Sequence, residues 1–192
     1  MRLFIGIGLP EECRGSIADA LSPLRTKEVP VSWTPPRNLH VTLKFLGEVP
    51  AGRVEELAGL MDRAGRDIPP FGVRVEGAGA FPTLRAPRVL WIGIREPLEL
   101  VGKLHQNMEN VLSGAGFPPD ERPFHPHVTV GRVKGRAGPG WGERFASAVS
   151  GMTSGTVFVT SYRLYESRLS PSGADYSVLR EVPLGGAPDR TA

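Results

Sequence analysis

The chain has 192 residues, enough for one domain with a substantial core or for two small lobes. Hydrophobic residues make up 40 % and charged residues 22 %, ordinary for a globular protein, and a net charge of +3 tolerates a polyanionic partner without requiring one. Cys13 is the only cysteine, which excludes a disulfide framework and a cysteine-based zinc site within the chain. The cationic residues are arginines apart from Lys27, Lys44, Lys103 and Lys134. Arginine suits bidentate phosphate contacts, although a coding bias accounts for the same excess.

In chain order, residues 1–9 read as a buried strand stopped by Pro10. That apolar run is too short for a signal peptide or a membrane span, so a soluble, cytoplasmic protein is expected. Residues 11–25 carry helical spacing through Cys13, Ile17, Ala20, Leu21 and Leu24, with Pro10 suited to the helix start. A proline-rich loop from Pro30 to Pro36 precedes a strand from His40 to Leu46, ended by Gly47. Residues 51–64 are helical, and Phe71–Val75 and Arg88–Ile94 are strands. A long helix is expected from Pro97 to Leu112, ended by Gly114-Ala115-Gly116. His127–Val133 is a strand, Trp141–Val149 a short helix, Thr156–Tyr165 a long strand and Tyr176–Val182 the last strand. The tail from Gly185 to Ala192 lacks apolar periodicity and is expected to fray. Residues 1–184 thus form the expected domain, with 185–192 a flexible tail.

Several strands adjoin without an intervening helix. This predicts an α+β fold with mixed or antiparallel sheets rather than a doubly wound parallel sheet. No glycine motif of the P-loop or dinucleotide-binding kind is present, since Gly6-Ile7-Gly8 lacks the third glycine and what should follow it.

Two segments nearly repeat each other: His40-Val41-Thr42-Leu43 and His127-Val128-Thr129-Val130. Residues two apart on a strand share a face. Each segment therefore presents imidazole and hydroxyl on one side and apolar side chains on the other. By the same alternation Val41, Leu43 and Phe45 share the apolar face, and Lys44 shares the face of His40. Cleaving a phosphodiester needs one group to take a proton from the attacking oxygen and another to give one to the leaving oxygen. Histidine suits both tasks because its pKa of about 6.5 lies near working pH. Threonine hydroxyls can donate hydrogen bonds to the non-bridging oxygens, where charge develops. A single such strand would be an ordinary half-buried strand, given how common threonine is in strands. Two copies, one in each half of the chain, point to a paired site.

The flanks add a resemblance that covers nearly the whole chain. Trp33-Thr34-Pro35-Pro36-Arg37-Asn38-Leu39-His40-Val41-Thr42-Leu43-Lys44-Phe45-Leu46-Gly47-Glu48-Val49 and Arg122-Pro123-Phe124-His125-Pro126-His127-Val128-Thr129-Val130-Gly131-Arg132 resemble the two signatures of the LigT-like two-histidine phosphoesterases. Within them the chain is most similar to the RNA 2′,3′-cyclic phosphodiesterase branch. The resemblance implies a bilobal α+β fold, two pseudo-symmetric lobes of mixed or antiparallel sheet with outer helices, and an active-site cleft between the lobes. It implies metal-independent hydrolysis of RNA 2′,3′-cyclic phosphate ends to 2′-phosphates, with no cofactor and with 2′–5′ joining of tRNA halves in some members. On that basis His40 is the proton donor, His127 the proton acceptor, and Thr42 and Thr129 bind the phosphate. The near-symmetry of the two motifs does not by itself assign acid and base. An RNA end, a tRNA fragment among them, is the implied partner of a monomeric, non-membrane protein.

Arg132 matches an arginine of the second signature. Strict alternation points it away from His127, so a phosphate contact requires a bulge near Gly131; otherwise it is a surface arginine. His125-x-His127 could clamp a metal, but Pro126 distorts the strand and an incidental role is expected for His125. His105 reads as a packed residue at the edge of a helical stripe, and Trp33 and Phe124 as core packing rather than base-stacking groups. Lys44 either approaches the phosphate or reaches solvent. Two other readings are a related enzyme acting on a nucleotide cyclic phosphate, a 2′–5′ oligonucleotide or a small cyclic metabolite, and a non-catalytic RNA-binding protein.

Overall fold

A computed structural model describes residues 1–26, 31–95, 98–152, 154–170 and 173–185. Its first half runs β1 (Arg2–Gly8), α1 (Glu11–Leu21), β2 (Val31–Trp33), β3 (His40–Glu48), α2 (Val54–Gly65) and β4 (Phe71–Thr83). The second runs β5 (Ala86–Arg95), α3 (Glu99–Ser113), β6 (His127–Val133), α4 (Trp141–Ser150), β7 (Thr156–Val159), β8 (Ser161–Ser170) and β9 (Gly173–Pro183). The strands form one curled sheet in the order β7-β4-β5-β6-β3-β1-β8-β9, with β2 also against β6, and the pairings are antiparallel.

The order is nearly symmetric about the junction of β3 and β6. β4 leaves the first half to pair with β5, and β8 crosses back to pair with β1. That exchange explains why the expected single strand from Thr156 to Tyr165 is two strands. β7 extends the second half beside β4, while β8 starts anew in the first, and the ladder breaks at Thr160. β4 also runs well past Val75, because its later residues pair with β5 in a hairpin that turns at Leu84-Arg85. β2 lies inside the segment expected to be a loop; its three residues pair with β6 only through tertiary contact. The first helix ends at Leu21, four residues short, because Pro23 turns the chain into a 3₁₀ turn at Ser22–Leu24. The long helix starts at Glu99, and Pro97 lies outside the described residues, as do Pro30 and 186–192 of the tail.

The helices and one face of the sheet share a single core. Ile17 of α1, Leu57 and Met61 of α2, Leu104 and Met108 of α3 and Phe145 of α4 are fully buried with Leu3, Ile5, Leu90, Ile92, Val128 and Val130 of the strands. Burial of each such side chain stabilises the fold by roughly 1.5–3 kcal/mol. The opposite, open face of the sheet is left for polar and aromatic side chains. Among the described residues no helix is long and apolar enough to cross a membrane.

Candidate active site

β3 and β6 meet at one pair, Val41 opposite Val128. Antiparallel pairing about that point sets His40 across from Thr129 and Thr42 across from His127. Val41 and Val128 are buried on the helix side, so the two imidazoles and the two hydroxyls share the open face. The two motifs are brought together as neighbours, with the pseudo-twofold axis passing between the valines.

Each imidazole is oriented by the same backbone device. His40 Nδ1 lies 2.6 Å from Asn38 O, and His127 Nδ1 lies 2.6 Å from His125 O. A carbonyl oxygen only accepts, so both Nδ1 atoms carry hydrogen and both Nε2 atoms are the reactive nitrogens. Thr42 Oγ1 stands 3.0 Å from His40 Nε2 and donates to it when the ring is neutral. Asn38 is itself fixed, its Nδ2 donating to Ala174 O of β9 at 2.7 Å.

Both motif strands also carry a bulge at the same place. Ile5 pairs with Lys44 and Gly6 with Thr42, leaving Leu43 as the extra residue. Leu90 pairs with Gly131 and Trp91 with Thr129, leaving Val130 as the extra residue. A bulge reverses the alternation beyond it. In β6 it turns Arg132, which pairs with Val89, onto the face of Thr129, near enough to His127 for its charge to act on that ring. In β3 it overturns the alternation expected for Lys44 and Phe45. Phe45 is 63 % exposed on the open face, its ring 6.0 Å from that of Phe4. Lys44, 2 % exposed, neither approaches the site nor reaches solvent.

Instead Lys44 Nζ donates to Pro118 O and Asp120 Oδ1, each at 2.8 Å, and lies 2.7 Å from Glu109 Oε1. Burial opposes ionisation of Glu109, yet the Lys44 ammonium and the Asp120 amide hold its carboxyl below the ordinary range. His105, Glu109 and Asp120 are spaced as three metal ligands would be, but the ammonium already occupies the oxygens of that cluster. His105 stacks on Phe124 with ring centroids 4.0 Å apart, and Trp33 packs on Trp141, so all three expected packing residues lie in contacts of that kind. This buried ion cluster ties β3 to α3 and to the segment leading into β6.

Aromatic side chains that the motifs did not reveal flank both histidines. His40 lies against Phe4, Tyr165 and Tyr176, with ring centroids at 4.7, 5.9 and 5.4 Å. His127 lies against Phe81 and Trp91 at 5.2 and 5.9 Å. His125 is exposed and rests beside Trp91 at 4.8 Å. Gly79 leaves room for the Trp91 ring, which lies where a Cβ at that position would stand. Desolvation by these neighbours pushes the pKa of His40 below its ordinary value, against the Asn38 hydrogen bond and with the charge of His127. Desolvation also lowers His127, opposed by its bond to His125 O and aided by the charges of His125 and Arg132. Both rings are therefore held toward the neutral form until an anion enters between them.

Two imidazoles that turn their Nε2 atoms to the open face, each with a neutral hydroxyl beside or opposite it, are the side chains of an acid–base phosphoesterase. Comparison with known proteins supports the same class. The family described as LigT like Phosphoesterase matches residues 7–91 and again 92–176, one copy in each half. The RNA 2′,3′-cyclic phosphodiesterase of Thermotoga maritima is 34 % identical over 186 residues, 97 % of each chain. That of Archaeoglobus fulgidus is 37 % identical over 181 residues, 94 % of this chain and 98 % of its own. Among solved structures, one from Thermus thermophilus matches with a TM-score of 0.77 at 32 % identity, covering 97 % of this chain and 99 % of that one. The structure of E. coli LigT complexed with 3′-AMP matches with a TM-score of 0.75 at 31 % identity, over 95 % and 97 %. The chain belongs to the LigT-like phosphoesterase family and is a cyclic phosphodiesterase of its two-histidine class.

Proposed function

We propose that the protein opens the 2′,3′-cyclic phosphate at the 3′ end of an RNA, yielding a 2′-phosphate and a free 3′-hydroxyl. The observation that carries this reading is the pair of Nε2 atoms, on opposite strands of one junction, with a threonine hydroxyl across from each imidazole. His127 Nε2 takes a proton from water as its oxygen bonds to phosphorus. His40 gives a proton to O3′ as the P–O3′ bond breaks. Thr42, Thr129 and Arg132 hold the non-bridging oxygens, and the Nδ1 bonds to backbone carbonyls fix which nitrogen reacts. Donor and acceptor are assigned here by the family resemblance. A 5′-hydroxyl entering in place of water would form a 2′–5′ linkage by the same displacement, which is the form ligation of tRNA fragments would take. Residues 1–184 act as one catalytic unit because both motifs sit on one sheet, and this reading takes that unit as a monomeric, cytoplasmic enzyme.

The test is an oligoribonucleotide ending in 2′,3′-cyclic phosphate, incubated with the protein in EDTA. The expected product carries a 2′-phosphate. A 3′-phosphate would reverse which oxygen leaves, and turnover of mononucleotide or 2′–5′ substrates alone would shift the reading to those esters. Binding without turnover would leave only an RNA-binding role.

A further inference from the structure

Some cations of this protein are tied to carboxylates: Arg37 to Asp175, Arg53 to Glu56, Arg163 to Glu181, Arg168 to Glu166 and Arg180 to Glu55, while others, such as Arg14, Arg63, Arg66 and Lys103, lie scattered without an ion pair among the described residues. One region differs. Arg85 and Arg88 on the β4–β5 hairpin, and Arg132, Lys134 and Arg136 at and beyond the end of β6, form no ion pair among the described residues. These five lie in two adjoining segments. Arg132 pairs with Val89 in the sheet, and the backbone of Leu84 lies against Gly142 at the start of α4, which holds the hairpin turn beside the loop that follows β6. Arg85 and Arg136 line one open cavity of about 600 Å³ with Ala137, Gly138, Pro139 and Gly140, and Glu143 is the one acidic residue on its wall.

The cluster starts at the active site. Arg132 shares the open face with Thr129, and exposed Lys134 follows just beyond the end of β6 before the chain reaches Arg136 at the cavity. A fully extended chain rises about 3.3 Å per residue, so the path from Thr129 to Arg136 spans at most roughly 23 Å, room for a few nucleotides. Cations left unpaired along a path remain available to a polyanion, whereas those already bound to carboxylates give up little on meeting one.

We propose that this row is the track for the body of the RNA: the nucleotides preceding the reacting end run from Arg132 past Lys134 to the cavity of Arg85 and Arg136, which hold a backbone phosphate there. The track rests on the RNA reading of the site and adds to it a reason for the enzyme to prefer an RNA end over a free nucleotide. It requires no change in the chemistry at the histidines.

The experiment separates the two readings by measuring binding and turnover independently. A decamer oligoribonucleotide ending in a 3′-hydroxyl, inert to hydrolysis, is titrated by fluorescence anisotropy at several salt concentrations. The variant R85Q/R136Q should bind it about tenfold more weakly, and the slope of log K against log salt should shrink by about 1, since each phosphate contact on a single strand contributes about 0.7. Its turnover of a nucleoside 2′,3′-cyclic phosphate should match the wild type within about twofold, which also shows that it folds. The control R63Q/R66Q, at the exposed end of α2, should bind like the wild type. The track is overturned if R85Q/R136Q binds the decamer with unchanged affinity and slope, if the control loses as much, or if the wild type does not bind the decamer. If the wild type binds the decamer through these arginines but opens no cyclic phosphate, the track stands and the proposed activity falls.

Discussion

The halves of the molecule use the same backbone device and surround it differently. In each, a histidine donates Nδ1–H to the carbonyl two residues back, a threonine follows two residues on, and a bulge falls at the third residue after the histidine. Yet Gly6 faces Thr42 where Trp91 faces Thr129, and Lys44 follows the bulge in β3 where Gly131 follows it in β6. His40 is packed among three rings, with His127 the charge that acts on it, whereas His127 has Arg132 and exposed His125 as charged neighbours. A duplicated backbone thus sets two equivalent nitrogens, and the non-equivalent side chains around them are what can make one an acid and the other a base.

The largest expected effect tests that division. His40→Ala and His127→Ala should each lower kcat/KM for a cyclic-phosphate end by roughly 10²–10⁴-fold. Each should remove a different limb of the pH profile, His40→Ala the alkaline one and His127→Ala the acid one. Loss of the same limb in both would abolish the assigned difference between the halves. Because burial lowers both pKa values, the wild-type kcat/KM maximum should lie below about pH 6.5, where an ordinary imidazole titrates.

Lys44→Met addresses the second difference, beneath the bulge. It strands Glu109, 9 % exposed, without its counter-ion and should cost about 3–5 kcal/mol in urea unfolding. Thr42→Val and Thr129→Val should lower kcat by about 10²-fold each, as loss of one hydrogen bond to developing charge commonly does. A much larger loss in one than the other would show that the hydroxyls, too, have diverged.

The smallest effect concerns acid stability. Both histidines have folded pKa values below their unfolded ones, so the contribution of their neutral forms is complete above about pH 6.5 and is lost as pH falls through the folded values. Thermal unfolding at pH 7.5 and pH 5 should show the decline, and it should be smaller in the double variant H40A/H127A. An equal decline there would place the acid sensitivity elsewhere, His105 being the next buried candidate.

Much of the site was legible because its key residues are local in sequence. His40 with Thr42, and His127 with Thr129, share a face by strand geometry alone, and the expected α+β class follows from strands that adjoin without helices. Arg132 was legible only conditionally, since its direction depended on a bulge that no local pattern announces. Lys44 and Phe45 were assigned to the wrong faces for the same reason: alternation holds only while each residue has one partner, and pairing with β1 decides where an extra residue is inserted. Phe4, Trp91, Tyr165 and Tyr176 were missed because they reach the histidines from other strands through sheet order and register.

By itself, then, the sequence determined two imidazole–hydroxyl strands, their apolar backs and their near-repetition, all properties of chain periodicity. Only the tertiary structure decided that the strands abut at Val41 and Val128, that Lys44 turns inward while Arg132 turns toward the site, and that aromatic rings hold both histidines toward the neutral form. Those outcomes depend on cross-strand register and burial, which arise from contacts between residues far apart in the chain.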